Sequence, residues 1–225
     1  MRQIKRNIST AAPTANRLEA LTDGLFAIVM TLLVLEFNVP VIASGPVNTE
    51  LFQKLLELWP KLLVYMLTFL ILGILWVNHR STFQYITRTD GKLAWMNIII
   101  LMFVALIPFS ASLLGEYSYT KVAVAAYGIN ITIIFTMSLV LWIYVTGKHA
   151  LADRAIDADI VTQRKFMFLI CCFFYALGIG ISFISPVASL FIYILVSVMS
   201  IIITWKDSHG YLSKMILNLT KSKKR

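Results

Sequence analysis

The chain is poor in charge and nearly devoid of cysteine. Of its 225 residues only 14% are charged, against 59% hydrophobic, and the mean hydropathy is +0.79. A soluble globular domain carries about a quarter charged residues, so this composition points to a membrane protein. The two cysteines, Cys171 and Cys172, are adjacent within an apolar stretch. That excludes a disulfide framework, and neither CxxC nor a metal-ligand spacing occurs, so both read as packing residues and no cofactor is expected. HExxH, GxSxG and paired Asp residues within the apolar stretches are also missing, which argues against an enzyme. Acidic residues are scarce: twenty Lys and Arg against eleven Asp and Glu leave a net charge of +9. The apolar spans leave no soluble domain to present this charge to nucleic acid, and no nucleic-acid partner is expected.

A hydrocarbon core of about 30 Å requires roughly 20 apolar residues in a helix. Uncharged stretches at 62–79, 93–115 and 122–147, each bounded by charges, read as spans two, three and four. Residues 166–205 are uncharged for 40 residues, interrupted near the middle by Ser182, Ser185, Pro186 and Ser189. Because the residue before Pro is biased away from the helical region, this run reads as a tight hairpin of two spans. The first segment, 17–38, differs, since Arg17, Glu19, Asp23 and Glu36 bracket an uncharged core of only twelve residues, 24–35. As a helix it would be about 33 Å long, so it can cross only if its charged ends face protein or water. A signal peptide is the competing reading, as Arg2, Lys5 and Arg6 come before small residues at 10–15. Those small residues precede the apolar region instead of following it.

The loops test this count of six, because Lys and Arg collect on the cytoplasmic side. With both termini inside, seventeen basic residues fall inside and only Lys54, Lys61 and Lys121 outside. The expectation is an all-α integral membrane protein with six transmembrane helices in one repeat. It divides into a cytoplasmic N-terminal segment at 1–16, a membrane domain at 17–205 and a basic cytoplasmic tail at 206–225. Trp59 at the outer edge, with Trp76, Trp95, Trp142 and Trp205 near inner ends, suits an aromatic belt. The tail cations Lys221, Lys223, Lys224 and Arg225 are expected on anionic lipid headgroups. Neither inverted repeats nor broken helices are read, which disfavours a secondary transporter.

Within the first span Ile28, Leu32 and Leu35 fall at i, i+4 and i+7 on one helical stripe, with Thr31 adjacent. Residues at this spacing can simply pack on a neighbouring helix. Alternatively, the polar bracket makes the helix resemble a pore wall with wet vestibules and a narrow apolar waist. Periodicity does not choose between the two.

The run Arg17-Leu-Glu-Ala-Leu-Thr-Asp23-Gly-Leu-Phe-Ala-Ile-Val-Met-Thr31-Leu-Leu-Val-Leu-Glu36 resembles the first-span signature of the transmembrane protein 175 family. That signature is Arg-x-x-x-Phe-Ser-Asp-Gly-x-Phe-Ala-Ile followed by Thr-Leu-Leu-Val-Leu-Glu. Leu75-Trp76-Val-Asn-His79 with Phe83, and Trp95-Met-Asn97 leading into Phe103-Val-Ala-Leu-Ile-Pro108-Phe109, are similar to the family's second and third spans. Two positions depart: Leu21 and Thr22 stand where the pattern has Phe and Ser, with Thr keeping the hydroxyl.

The resemblance implies a potassium-permeable cation channel that favours potassium over sodium and lacks a pore loop. Animal members carry two six-span repeats, whereas bacterial members carry one and assemble as homotetramers around the first span. A single repeat fits the bacterial form, in the inner (plasma) membrane. No Thr-Val-Gly-Tyr-Gly loop is present to supply carbonyl rings, so side chains must select. Carried over by position, the constriction falls on Ile28, Leu32 and Leu35, acting as gate and filter, with a potassium ion near the Thr31 hydroxyl. Arg17 and Asp23 are expected as an ion-paired anchor at the inner end, joined by His79 and Asn97 from spans two and three. His79 could titrate near neutrality there. Glu36 and Asn38 sit at the outer mouth. Proton permeation through the same channel, or proton-coupled transport using Asp23, His79 and Asn97, is the alternative.

Overall fold

In the computed structural model, which describes residues 15–42, 46–147, 151–152 and 156–202, the chain is helical with short connections. The expected terminal segments lie almost wholly outside the described residues. Helix α1 spans Ala15–Leu32 and tightens into a 3-10 turn over Leu33–Glu36, after which Phe37 is extended. There follow α2 (Val47–Glu57), α3 (Trp59–Phe83), α4 (Gly91–Ala105), α5 (Ile107–Glu116), α6 (Lys121–Thr146), α7 (Ala158–Ser182) and α8 (Pro186–Ile202). Among the described residues five stretches are long and apolar enough to cross a membrane: Ala15–Glu36, Trp59–Phe83, Gly91–Glu116, Lys121–Thr146 and Ala158–Ser182. The shorter apolar helix α8 completes the expected hairpin with α7.

The structure departs from the sequence reading in four places. The outer connection after α1 contains a helix, α2, where a loop was expected. The third span is broken at Leu106, correcting the expectation of unbroken helices. Pro108 in the first turn of α5 removes a backbone donor. Ser110 Oγ donates to the Ile107 carbonyl (3.0 Å) and accepts from Asn130 Nδ2 (3.2 Å), so the break is supplied with polar partners inside the bundle. Helix α7 begins eight residues before the uncharged run, with Asp157 accepting from the Asp159 amide at its start, and so draws Arg164 into the helix. Trp142, expected at the membrane interface, is fully buried.

Helix α6 is the central post, packed against α4, α5 and α7. The α7–α8 hairpin is closed by Ser189 Oγ donating to the Gly178 carbonyl (2.7 Å), by Tyr175 and Ser197 hydroxyls at 3.0 Å, and by Cys171 Sγ at 3.2 Å from Ser200 Oγ. Tyr193 of α8 is the wedge. Its ring stacks on Tyr175 with centroids 5.2 Å apart and lies against Gly128 of α6 and Gly178 of α7. Small residues at such crossings let helices approach closely. At the inner end the Arg164 guanidinium sits over the rings of Trp142 (4.9 Å) and Tyr85 (5.6 Å), joining α7, α6 and the segment after α3. Beside it the Thr87 and Arg88 amides donate to the Leu151 carbonyl. At the outer end Lys61 pairs with Glu116, linking α3 to α5. Helix α1 attaches to α3, α4 and α5 through Leu18, Thr22, Phe26, Val29 and Leu33, a single face at helical spacing.

A methyl at position 178 would collide with a ring that has no room to move, whereas a Cβ at Gly180 meets nothing within 4 Å. Gly178→Ala is expected to cost about 1–3 kcal/mol as an overpacked site. Gly180→Ala, on an open helix face, should be neutral or slightly stabilising. Thermal unfolding midpoints of the two variants in one detergent check the contrast.

Candidate functional site

The candidate site is built on α1. Ile28, Thr31, Leu32 and Leu35 occupy an arc of about 100° on the helix, at 100° per residue. This arc is turned away from the core face, and within the single chain Ile28 is 59%, Leu32 40% and Leu35 72% exposed. Gly24 and Ala27 flank the arc and are exposed too. The structure therefore separates the two readings of the stripe in one respect: the described helices leave these side chains exposed.

Thr31 is the polar member of the face. Its hydroxyl donates back to the Ile28 carbonyl (2.8 Å), with the Ala27 carbonyl as a second acceptor at 3.1 Å. A hydroxyl has one hydrogen and two lone pairs, so donation into the helix leaves its oxygen as an acceptor for whatever lies on the exposed side. Such an oxygen suits a hard cation.

At the inner end a directed hydrogen-bond chain ties α1 to its neighbours. The Nε2 of His79 on α3 lies 2.7 Å from Oδ1 of Asn97 on α4. Asn97 Nδ2 donates to Thr22 Oγ1 on α1 (3.2 Å), and Thr22 Oγ1 donates to the Leu18 carbonyl (2.9 Å). An amide oxygen only accepts, so His79 presents a protonated Nε2 in this arrangement. The ring is held by Phe83, stacked at 4.5 Å, and by Phe26 at 6.5 Å. All three polar side chains are buried.

Asp23 belongs to a second tie. Its Oδ1 accepts from Trp76 Nε1 of α3 (2.7 Å), and the Arg80 guanidinium lies 5.5 Å over the Trp76 ring. Arg17 is exposed and forms no ion pair with Asp23 within the chain. Six residues apart, the two side chains leave the helix about 120° from one another. Arg17 instead falls on the arc of Ile28 and Leu35. Sequence reasoning missed Trp76 as the partner of Asp23; its i, i+3 spacing to His79 was the available signal. The hydroxyl of Thr22 and the clamp on Arg164 were also not assigned roles.

At the outer end Glu36 lines a recess between α1, α3 and α5 together with Phe37, Lys61, Tyr65 and Glu116. Asn38 follows in the extended, exposed segment. Among the described residues there is no group of three or more His, Cys, Asp or Glu able to hold a metal ion. The chemistry of the face is apolar, with one hydroxyl and charged ends.

Comparison with known proteins agrees with the helical membrane fold. The family described as endosomal/lysosomal potassium channel TMEM175 matches residues 17–108, which contain α1, both polar ties and the broken span. A potassium channel of Streptomyces collinus is 35% identical over 175 residues, covering 76% of this chain and 84% of the relative. A solved lysosomal potassium-selective channel TMEM175 homologue from Chamaesiphon minutus superposes with a TM-score of 0.73 at 32% identity, covering 84% of this chain and 97% of that one. The endosomal/lysosomal proton channel TMEM175 of Gallus gallus is 35% identical over 107 residues, 45% of this chain and 21% of that longer protein. On a likeness that runs nearly the full length of the bacterial relatives, the chain belongs to the TMEM175 family as one of its bacterial members.

Proposed function

We propose that this chain forms a potassium-permeable cation channel, favouring potassium over sodium, in which four copies surround a pore lined by α1. One observation carries the reading: Ile28, Thr31, Leu32 and Leu35 lie together on the face of α1 that the chain's own core leaves uncovered. The bacterial relatives named as potassium channels support the choice of ion. Four copies of Ile28, Leu32 and Leu35 would stack as apolar rings that hold the pore closed by dewetting. An ion stripped of water without replacement ligands is expensive there, so the rings act as gate and filter. The Thr31 oxygens supply ligands beside the rings, close to a passing potassium ion. Glu36 and Asn38 at the outer mouth concentrate cations. Helix α8 serves as the sixth span, with both termini in the cytoplasm of a bacterial cell, the 17–205 domain in its inner membrane and lipids around it.

In such a tetramer the angle between Arg17 and Asp23 suits a bond between neighbouring copies, with Asp23 held in place by Trp76. Burial of these charges is tolerable only when they are partnered. His79 and Asn97 set the height and rotation of α1 on which that contact depends.

A second reading, proton permeation, is favoured by the His79–Asn97–Thr22 chain and by the vertebrate relatives named as proton channels.

Reversal potentials in planar bilayers under opposed potassium and sodium gradients test the main reading. The current should reverse toward the potassium potential. Ile28→Ala and Leu35→Ala should raise the leak conductance several-fold, and Thr31→Val should move the reversal potential toward sodium. Reversal potentials unchanged in Thr31→Val would remove that residue from the filter. Asp23→Ala should shift the purified protein from tetramer toward monomer by light scattering, and the exchange of Arg17→Asp with Asp23→Arg should recover part of the tetramer. For the second reading, His79→Gln should abolish proton flux into pH-dye-loaded vesicles while potassium current persists.

A further inference from the structure

Helix α2 is amphipathic in an unusual sense: its apolar side faces away from the protein. Phe52, Leu55, Leu56 and Trp59 share an arc of about 100°, and each is more than half exposed. The side turned toward the chain carries Glu50 and Lys54 beside Leu51 and Leu58, all half-buried. Lys54 Nζ bonds the Val41 carbonyl and lies 3.7 Å from Glu50, both half-buried. None of the helix's residues is buried. Thr49, Gln53 and Glu57 occupy the remaining arc, open to solvent.

We propose that α2 lies on the outer surface of the membrane, with Phe52, Leu55 and Leu56 inserted among lipid chains at the headgroup boundary. Three observations select lipid as the occupant. The apolar arc runs without a gap into Trp59, Leu62, Leu63 and Met66, the exposed flank of the membrane-crossing α3. Residues 47–83, which are α2, Leu58 and α3, number 37, about 55 Å if collinear, while α3 alone already exceeds the roughly 30 Å hydrocarbon core. The joint at Leu58, followed by Pro60, interrupts the helix where the chain leaves the membrane, and Trp59 stands at that level. A short helix with one apolar side and a low overall hydrophobicity is the form that lies in the interface instead of crossing it. Its one cation, Lys54, is engaged by Val41 and Glu50, and Lys61 at the start of α3 by Glu116. Apolar insertion, not attraction to anionic lipid, therefore holds it.

The consequence reaches α1. The Lys54–Val41 bond fastens the extended segment that follows Glu36 and Asn38 to a helix floating on the outer leaflet. The surface thus positions the outer end of α1. This inference rests on the membrane-crossing of α3 and is independent of which ion the protein conducts.

Spin labels at single cysteines test it in the full-length protein, reconstituted in phosphatidylcholine vesicles in a Cys171→Ala, Cys172→Ala background. Labels at Phe52, Leu55 and Leu56 should show a ratio of oxygen to nickel-chelate collision several-fold above that at Thr49 and Gln53. High nickel-chelate collision at all five sites would place α2 in water and overturn the proposal. Protection from both reagents at Phe52, Leu55 and Leu56, with spin–spin broadening between copies, would equally overturn it by placing a second subunit on this face.

Discussion

The orientation of α1 depends on one buried contact, the bond from Asn97 to Thr22, which continues to His79 on one side and to the Leu18 carbonyl on the other. In a medium without water each unpaired polar group is costly, so the chain is strongly directional: it is satisfied at one rotation and one height of α1 and at few others. A rotation by one residue, 100°, would carry Thr22 away from Asn97 and turn Phe26 out of its pocket beside His79. The face opposite Thr22 is fixed by the same bond. Ile28, Thr31 and Leu35 are outward because Thr22 and Phe26 are inward. The Asp23–Trp76 bond sets a second point on α3, so the inner end of α1 is held from two sides. The outer end, by contrast, is held mainly by apolar contacts around Leu33 and by the strap to α2.

What α1 leans on must itself be rigid, and the bundle of α6, α7 and α8 supplies that. Tyr193 fills the seam where Gly128 and Gly178 leave space, and five hydroxyl or thiol groups along α7 and α8 bond across it. These polar contacts add direction to packing that has no hydrophobic drive in lipid. Arg164 does comparable work at the inner edge. A cation between two aromatic faces joins three elements at a point where α3 ends, four residues beyond His79. The broken α4–α5 span packs on α6, where Asn130 donates to Ser110, and gives α1 a surface on both halves.

The spans were legible because lipid imposes length and apolarity, and both are countable along a chain. So was the stripe on α1, because a helix of 3.6 residues per turn places Ile28, Leu32 and Leu35 together whatever surrounds them. His79 and Asn97 were legible as neighbours only through the family resemblance, since nothing in spacing links two residues on different helices. Two features lay beyond such reasoning. Helix α2 is too short and too polar for a search built on apolar length. Arg164 was counted as a loop charge because sequence cannot show that Trp142 and Tyr85 will close around it. The pairing of Arg17 with Asp23 fails within one chain for a reason that is legible after all, as six residues do not share a helical face.

That failure bears on the assembly. Arg17 and the apolar arc lie on one side of α1, while Asp23 is drawn toward α3 by Trp76. A lone chain in lipid would expose a guanidinium, a threonine oxygen and a glycine along the same face, with no packing partner for the small residues. Lipid gains nothing from such a surface, and small residues on a spanning helix are sites where another helix or water comes close. In the proposed ring of like copies this face would meet the axis or a neighbouring α1 instead of lipid. The charge that one chain leaves unmatched on Arg17 is of opposite sign to the carboxylate it holds ready on Asp23. Under that proposal the geometry that denies the pair within a chain would offer it between chains, and constriction and subunit contact would both follow from one helix rotation.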